Sequence, residues 1–170
     1  MNTESPSPEK IYRLMTNNAD AREAIEAVVG TAQRELRIFD ASPRTLRERE
    51  FGRPARVEIL HNLLLANRGH RLRVVLHDVK SIEIELPRLI ELLTRFAGQF
   101  EIHRTVGQAT EARDPMVIAD SGHFWRQLHI DQPRSVLTLH DEVGARPFID
   151  RFEEIWEMSE AAVSGSTLGL

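Results

Sequence analysis

Residues 71–78 read RLRVVLHD, and this stretch decides the fold. Leu72, Val74, Val75 and Leu76 form a nearly continuous apolar run too short for a helix. Such a run suits a strand buried on both faces, and that kind of strand belongs to sheets covered by helices on each side. His77 and Asp78 end it. Upstream, Pro54 suits the first position of a helix and Gly69 its close, with Val57, Leu60 and Leu64 as the apolar stripe and Ile59 and Leu63 alongside.

The pattern extends in both directions. Asn18 reads as an N-cap, with Asp20 in the first turn and Ala24, Ile25, Val28, Val29 and Ala32 at helical spacing, which predicts a helix over 18–34. Leu36, Ile38 and Phe39 form a short strand that stops at Asp40, and the polar 41–52 read as a loop. Downstream, a helix starts near Pro87, carries Leu89, Ile90, Leu93 and Phe96, and ends near Gly98. Residues 99–104 alternate as a strand. Met116 to Ala119 and His123 to Leu128 form a hairpin around Asp120-Ser121-Gly122, and Ser135 to Leu139 is a further strand. A final helix is expected within 142–161, with Asp141 as its cap and Phe148, Phe152, Ile155, Trp156 and Ser159 on one face. Pro147 either starts its regular part or kinks it.

Strands separated by helices imply parallel neighbours, and the hairpin adds antiparallel ones. The expected fold is therefore α/β, a mixed, mainly parallel sheet with helices on both faces, the Ile38 and Val75 strands lying side by side. At 170 residues the chain fits one domain able to bury roughly 70% of its unfolded surface. Residues 1–9 are expected to be a disordered lead-in, 10–161 a single α/β domain and 162–170 a flexible tail.

Composition excludes several classes. No cysteine is present, which removes disulfides and thiolate metal sites and fits a cytoplasmic setting. The polar start MNTESPSPEK has no apolar signal region, and no apolar run is long enough to span a membrane. A net charge of −4 makes a dedicated nucleic-acid binder unexpected. The charges are uneven, however, with ten arginines against five acids from Arg34 to Arg73, and seven acids against two arginines from Asp141 to Glu160.

The run from Asp114 to Glu160 resembles the second part of a phospholipase D-like half-domain. In that superfamily a His-x-Lys pair precedes a buried strand that ends in Asp, and Gly-Ser and Asn follow. Here Asp120 ends PMVIAD at the family's Asp position, and FIDRFEEIWEMSE is similar to the Phe-x-x-x-Trp helix that closes such domains. The layout RIFD…VLHD…FEEIW is also similar to that of bacterial proteins grouped as phospholipase D-like without an assigned activity. Arg113 stands at the histidine position, Pro115 at the lysine position, Gln127-Leu128 where Gly-Ser would be, and Asp131 near the asparagine. The resemblance implies half-domain topology and pairing of two copies. It also implies no chemistry of its type, because that reaction uses histidine as nucleophile and lysine to hold phosphoryl oxygens, while arginine stays protonated and cannot attack phosphorus.

Three functional readings stand beside one another. The first is a non-catalytic binding or assembly module, with no cofactor and no catalytic residue. The second is a small enzyme acting on a phosphorylated substrate through Asp40, His77 and Asp78, which the order of strands puts at carboxyl ends, where open α/β sheets bind ligands. The bland alternative has both aspartates capping the segments that follow and His77 hydrogen-bonded beside them. The third is a weak single-stranded nucleic-acid binder using the arginine-rich segment. Arg44, Arg47, Arg49, Arg53 and Arg56, in the loop and helix start after the Asp40 strand, are candidates for gripping a phosphate, as is Arg113. The histidines show no metal-ligand spacing, and neither a glycine-rich phosphate loop nor a GxSxG elbow is present.

Overall fold

The computed structural model describes residues 5–165. The elements run β1 (Ile11–Met15), α1 (Asn18–Thr31), β2 (Glu35–Asp40), α2 (Pro43–Glu48), α3 (Pro54–Ala66), β3 (Arg71–Leu76), α4 (Ile82–Glu85), α5 (Pro87–Arg95), β4 (Phe100–Thr105), β5 (Met116–Ala119), β6 (His123–Gln127), β7 (Ser135–Leu139), α6 (Glu142–Glu157) and β8 (Ser159–Val163). The strands form one mixed sheet in the order β1-β7-β6-β5-β2-β3-β4-β8.

The Ile38 and Val75 strands are parallel neighbours, with Ile38 opposite Val74 and Phe39 opposite Val75. One sheet face carries Leu36, Ile38, Leu72, Val74 and Leu76 into a core shared with α1, α3 and α5. The other carries Phe39, Val75, Met116 and Ile118 against Phe152 and Ile155 of α6. Val75 and Val74 are both fully buried, as a strand covered on each face requires.

The expectation of a mainly parallel sheet is corrected. Among the described residues only β2–β3 and β3–β4 are parallel, and the other five pairings are antiparallel. The physical reason is connection length. Parallel pairing needs a crossover, which α3 and the α4–α5 segment supply, whereas β5, β6 and β7 follow one another through short turns and must reverse. Both outer strands were also unanticipated: β1 lies in a stretch assigned to no element, and β8 replaces the expected end of the last helix and the start of the tail.

Local chemistry moves other boundaries. The α1 cap is Asn17, not Asn18: its side chain accepts the Asp20 N–H at 2.8 Å and donates to the Asp20 carboxylate at 2.9 Å. Within the predicted loop 41–52, Ser42 and Thr45 form a reciprocal capping box around Pro43 and start α2. Leu46 and Phe51 then bury completely. Asn67 accepts the Gly69 N–H at 2.7 Å and turns the chain after α3, three residues before the expected end. Asp141 caps α6 as expected, accepting the Gly144 N–H at 2.9 Å.

Candidate functional site

The carboxyl ends of β2 and β3 meet the start of β5 and the exit of β6, and every candidate from the sequence lies at or near this end. Successive residues of a strand face opposite ways. Asp40 therefore falls on the α1 side of the sheet and His77 on the α6 side.

On the α1 side, Asp40 is 1% exposed. One carboxylate oxygen accepts the Ala41 N–H at 2.8 Å and the other the Arg49 Nε–H at 2.6 Å. Arg49 also donates to Gln127 Oε1 at 2.7 Å and lies over the Trp125 ring, 4.7 Å from its centroid. The Gln127 amide nitrogen in turn faces the carbonyls of His129, Ile130 and Gln132. These bonds lock the end of β2 to the loop after β6. A cleft of about 160 Å³ remains outside, lined by Arg22, Thr45, Glu48, Arg49, Gln127 and Ile130 among others.

On the α6 side, His77 Nε2 lies 2.7 Å from the Ala112 carbonyl and Nδ1 2.7 Å from the Thr105 hydroxyl. A carbonyl only accepts, so Nε2 carries a hydrogen and both ring nitrogens are engaged. The Ala112 carbonyl also accepts from Arg113 Nη1 at 3.0 Å, and the same nitrogen donates to the Thr110 carbonyl at 2.8 Å. The Arg113 side chain is exposed, and it makes no ion pair among the described residues.

The structure therefore separates what the sequence grouped. Asp40, His77 and Asp78 form no constellation. Asp40 is spent on Arg49, His77 on Thr105 and Ala112, and Asp78 accepts the Lys80 N–H at 2.9 Å. Arg44 pairs with Glu48 at 3.4 Å one helical turn on, and Arg47 with Glu85 at 2.8 Å. Arg49, expected within the arginine cluster that could grip a phosphate, is instead spent on Asp40 and Gln127, and Gln127 was not among the candidates. The only sequence signal for Gln127 was its place where the resemblance expects glycine. The hairpin aromatics Phe124 and Trp125 are 5% and 1% exposed.

Two residues at positions that the phospholipase D resemblance singles out, Pro115 and Asp120, serve the fold. Pro115 is buried, and its carbonyl accepts the Gln127 N–H at 2.9 Å. Asp120, at the hairpin turn with φ +52°, accepts the backbone N–H groups of Gln33, Arg34 and Glu35 at 2.9, 2.8 and 3.0 Å. It staples the entry of β2 to the hairpin at the opposite end of the sheet. Among the described residues no group of three or more His, Asp or Glu side chains is placed to hold a metal ion.

Charge at the α6 face is organised around Arg73. It donates to Glu35 at 2.8 Å and to both oxygens of Glu153, under the rings of Phe152 and Trp156. The Arg73 hydrogen bonds hold the Glu153 carboxyl below its ordinary range. This network ties α6 to the middle of the sheet, away from the candidate site.

Solved structures share this architecture. Nuc from Salmonella typhimurium, a phospholipase D family member, superposes with a TM-score of 0.63 at 12% identity, over 92% of this chain and 100% of Nuc. NucT from Helicobacter pylori gives 0.57 at 12% identity, over 91% and 100%. TrmBL2, an archaeal chromatin protein with a novel mode of DNA binding, gives 0.60 at 17% identity; the match covers 95% of this chain and 57% of TrmBL2. These likenesses establish a phospholipase D-like fold. No curated protein matches the chain by sequence. A family model matches residues 17–164, and the chain accordingly belongs to the domain of unknown function family DUF7931.

Proposed function

We propose that this phospholipase D-like domain is a non-catalytic binding and assembly module that takes a phosphate-bearing ligand at the carboxyl end of its sheet. The observation that carries the reading is Arg113. It occupies the histidine position of the phospholipase D motif, exposed and held by two backbone carbonyls, with proline in place of the motif lysine. A guanidinium in that position binds phosphoryl oxygens but forms no covalent phosphoenzyme. Asp120 and Gln127, at the neighbouring motif positions, are consumed by structural hydrogen bonds. Ligands that fit are small phosphate esters or the backbone of a nucleic acid. The DNA-binding neighbour TrmBL2 supports the second, although a net charge of −4 gives it little long-range help. The reading includes pairing of two copies, as catalytic phospholipase D-like proteins join two such halves. It also includes a cytoplasmic setting, which suits a chain without cysteine. Among the described residues no helix is long and apolar enough to cross a membrane.

The test has two arms. Hydrolysis of a chromogenic phosphodiester and of a phospholipid is expected to be absent, with and without divalent ions. Binding of labelled single-stranded DNA and of inorganic phosphate is measured at about 50 and about 200 mM salt, where backbone contacts weaken steeply. Arg113→Ala is expected to lower the affinity of whichever probe binds by roughly tenfold, the scale of one charge-assisted contact. Turnover in the first arm, or no binding in the second, overturns the proposal.

A further inference from the structure

The two edges of the sheet differ in how they are protected. Edge strands invite pairing with another chain unless charges or irregularity block it. The β8 edge is blocked twice: Glu160 is ion-paired to Arg104, and the register against β4 shifts between Ile102 and His103. The β1 edge is regular over all five residues against β7. It exposes Ile11, Tyr12 and Leu14, which are 45%, 68% and 46% accessible, and Tyr12 and Leu14 share the sheet face that carries α6. That helix packs on β4, β5, β6 and β8 and leaves the β1 end of the face open. The one charge on β1, Arg13, lies on the other face, 3.6 Å from Asp20 of α1.

The order of residues in β1 adds a constraint. Ile11-Tyr12-Arg13-Leu14-Met15 is symmetric in polarity about Arg13, with two apolar residues on each side. Antiparallel pairing of this strand with itself about Arg13 sets Tyr12 opposite Leu14 on one face and Ile11 opposite Met15 on the other, with Arg13 facing its own copy between them, a self-complementary arrangement as a two-fold interface requires. We infer that β1 is the pairing edge of a homodimer, two copies meeting antiparallel about an axis through Arg13 to form one continuous sheet. The inference rests on the pairing reading above and names its surface. On the open face Tyr12 of each copy meets Leu14 of the other. On the α1 face the two Arg13 side chains come together with both Asp20 carboxylates, so each guanidinium has a carboxylate from either copy. The free N–H and C=O groups along β1 gain partners in the same step.

The absence of cysteine gives a clean experiment. Directly opposed residues of antiparallel strands have Cα atoms about 4.5–5.5 Å apart, within disulfide reach. Arg13→Cys is therefore expected to form a covalent dimer rapidly under mild oxidation, well ahead of Ile84→Cys on the exposed α4. In sedimentation equilibrium of the full chain, Tyr12→Lys and Leu14→Lys are expected to weaken the dimer at least tenfold, and Ile84→Lys to leave it unchanged. A chain that stays monomeric at high micromolar concentration overturns both the surface and the pairing reading. A dimer that survives Leu14→Lys, with no preferential cross-link at position 13, overturns the surface and leaves pairing standing. The cross-link is read in a separate variant, so misfolding of a lysine variant does not decide the outcome.

Discussion

Removing the Asp120 carboxylate tests whether this residue, at the position where the phospholipase D resemblance expects an aspartate, acts as a staple or as part of a site. Its two oxygens accept three backbone N–H groups at the entry to β2: Gln33 on one, Arg34 and Glu35 on the other. A hydrogen bond to a charged acceptor contributes roughly 1.5–3 kcal/mol when well shielded. The Gln33 and Arg34 bonds are solvent-exposed and the Glu35 bond is half-buried, so about 1 kcal/mol each is a better scale here. Asp120 also sits at φ +52°, where aspartate and asparagine are tolerated and alanine costs roughly another 1 kcal/mol. Asp120→Ala is thus expected to lose about 3–4 kcal/mol, a large part of a domain's net stability. Asp120→Asn keeps the backbone preference and the oxygen facing Arg34 and Glu35, but turns a donor toward the Gln33 N–H. Its expected loss is about 1–2 kcal/mol. Urea unfolding followed by circular dichroism measures both, provided the m-value is unchanged. Asp120→Ala within about 0.5 kcal/mol of the native chain, together with lost binding of a phosphate probe, would falsify the staple and place Asp120 in the ligand site.

Two further outcomes follow from the buried charges and histidines. Asp40→Ala leaves the Arg49 guanidinium, whose side chain is 14% exposed, without its carboxylate; a loss of about 3 kcal/mol or more is expected, and Asp40→Ala combined with Arg49→Met is expected to recover part of it. Equal unfolding midpoints for the single and double variants would count against a structural ion pair. His123 Nδ1 accepts the His140 N–H at 3.1 Å, a bond that needs this nitrogen unprotonated. Burial, then the neighbouring His140, lowers the His123 pKa from its ordinary 6.5. The unfolded chain therefore takes up this proton first, and the contribution to stability is complete above about pH 6.5 and fades as pH falls toward the lowered folded value. Denaturation at about pH 7.5 and about pH 5.5 is expected to show a smaller pH-dependence for His123→Leu than for the native chain; parallel behaviour of the two would remove the idea. His103 is shifted the same way by burial, so the slope does not vanish entirely.

Much of the fold was legible because burial writes itself into periodicity. The run Leu72 to Leu76 demanded cover on both sides and received it, and the spacing of Ala24, Ile25, Val28 and Val29 located α1 to within a few residues. The losses have local causes. IYRLM is too short to separate a strand from a helix by period, and SEAAV is weakly apolar. Each becomes a strand only because β7 and β4 offer it an unpaired edge. The capping box that starts α2 was present as Ser42, Pro43 and Thr45, hidden among charged residues that read as loop.

The sequence by itself determined that Arg113 and Pro115 stand before the buried strand Met116 to Ala119, where the resemblance to phospholipase D-like proteins expects histidine and lysine. Which carboxylates and imidazoles meet was decided only by tertiary structure. Asp40 and His77 both end parallel strands, yet alternation of the strand sends them to opposite faces of one sheet. Asp40 there meets Arg49 from the segment after α2 and, through it, Gln127 from β6, partners 9 and 78 residues away for Arg49's two bonds. His77 meets Thr105 and Ala112, 28 and 35 residues on. Hydrogen-bond partners at such separations are chosen by strand order and direction, which depend on which edges remain free as the sheet closes, and a linear pattern carries no record of that choice.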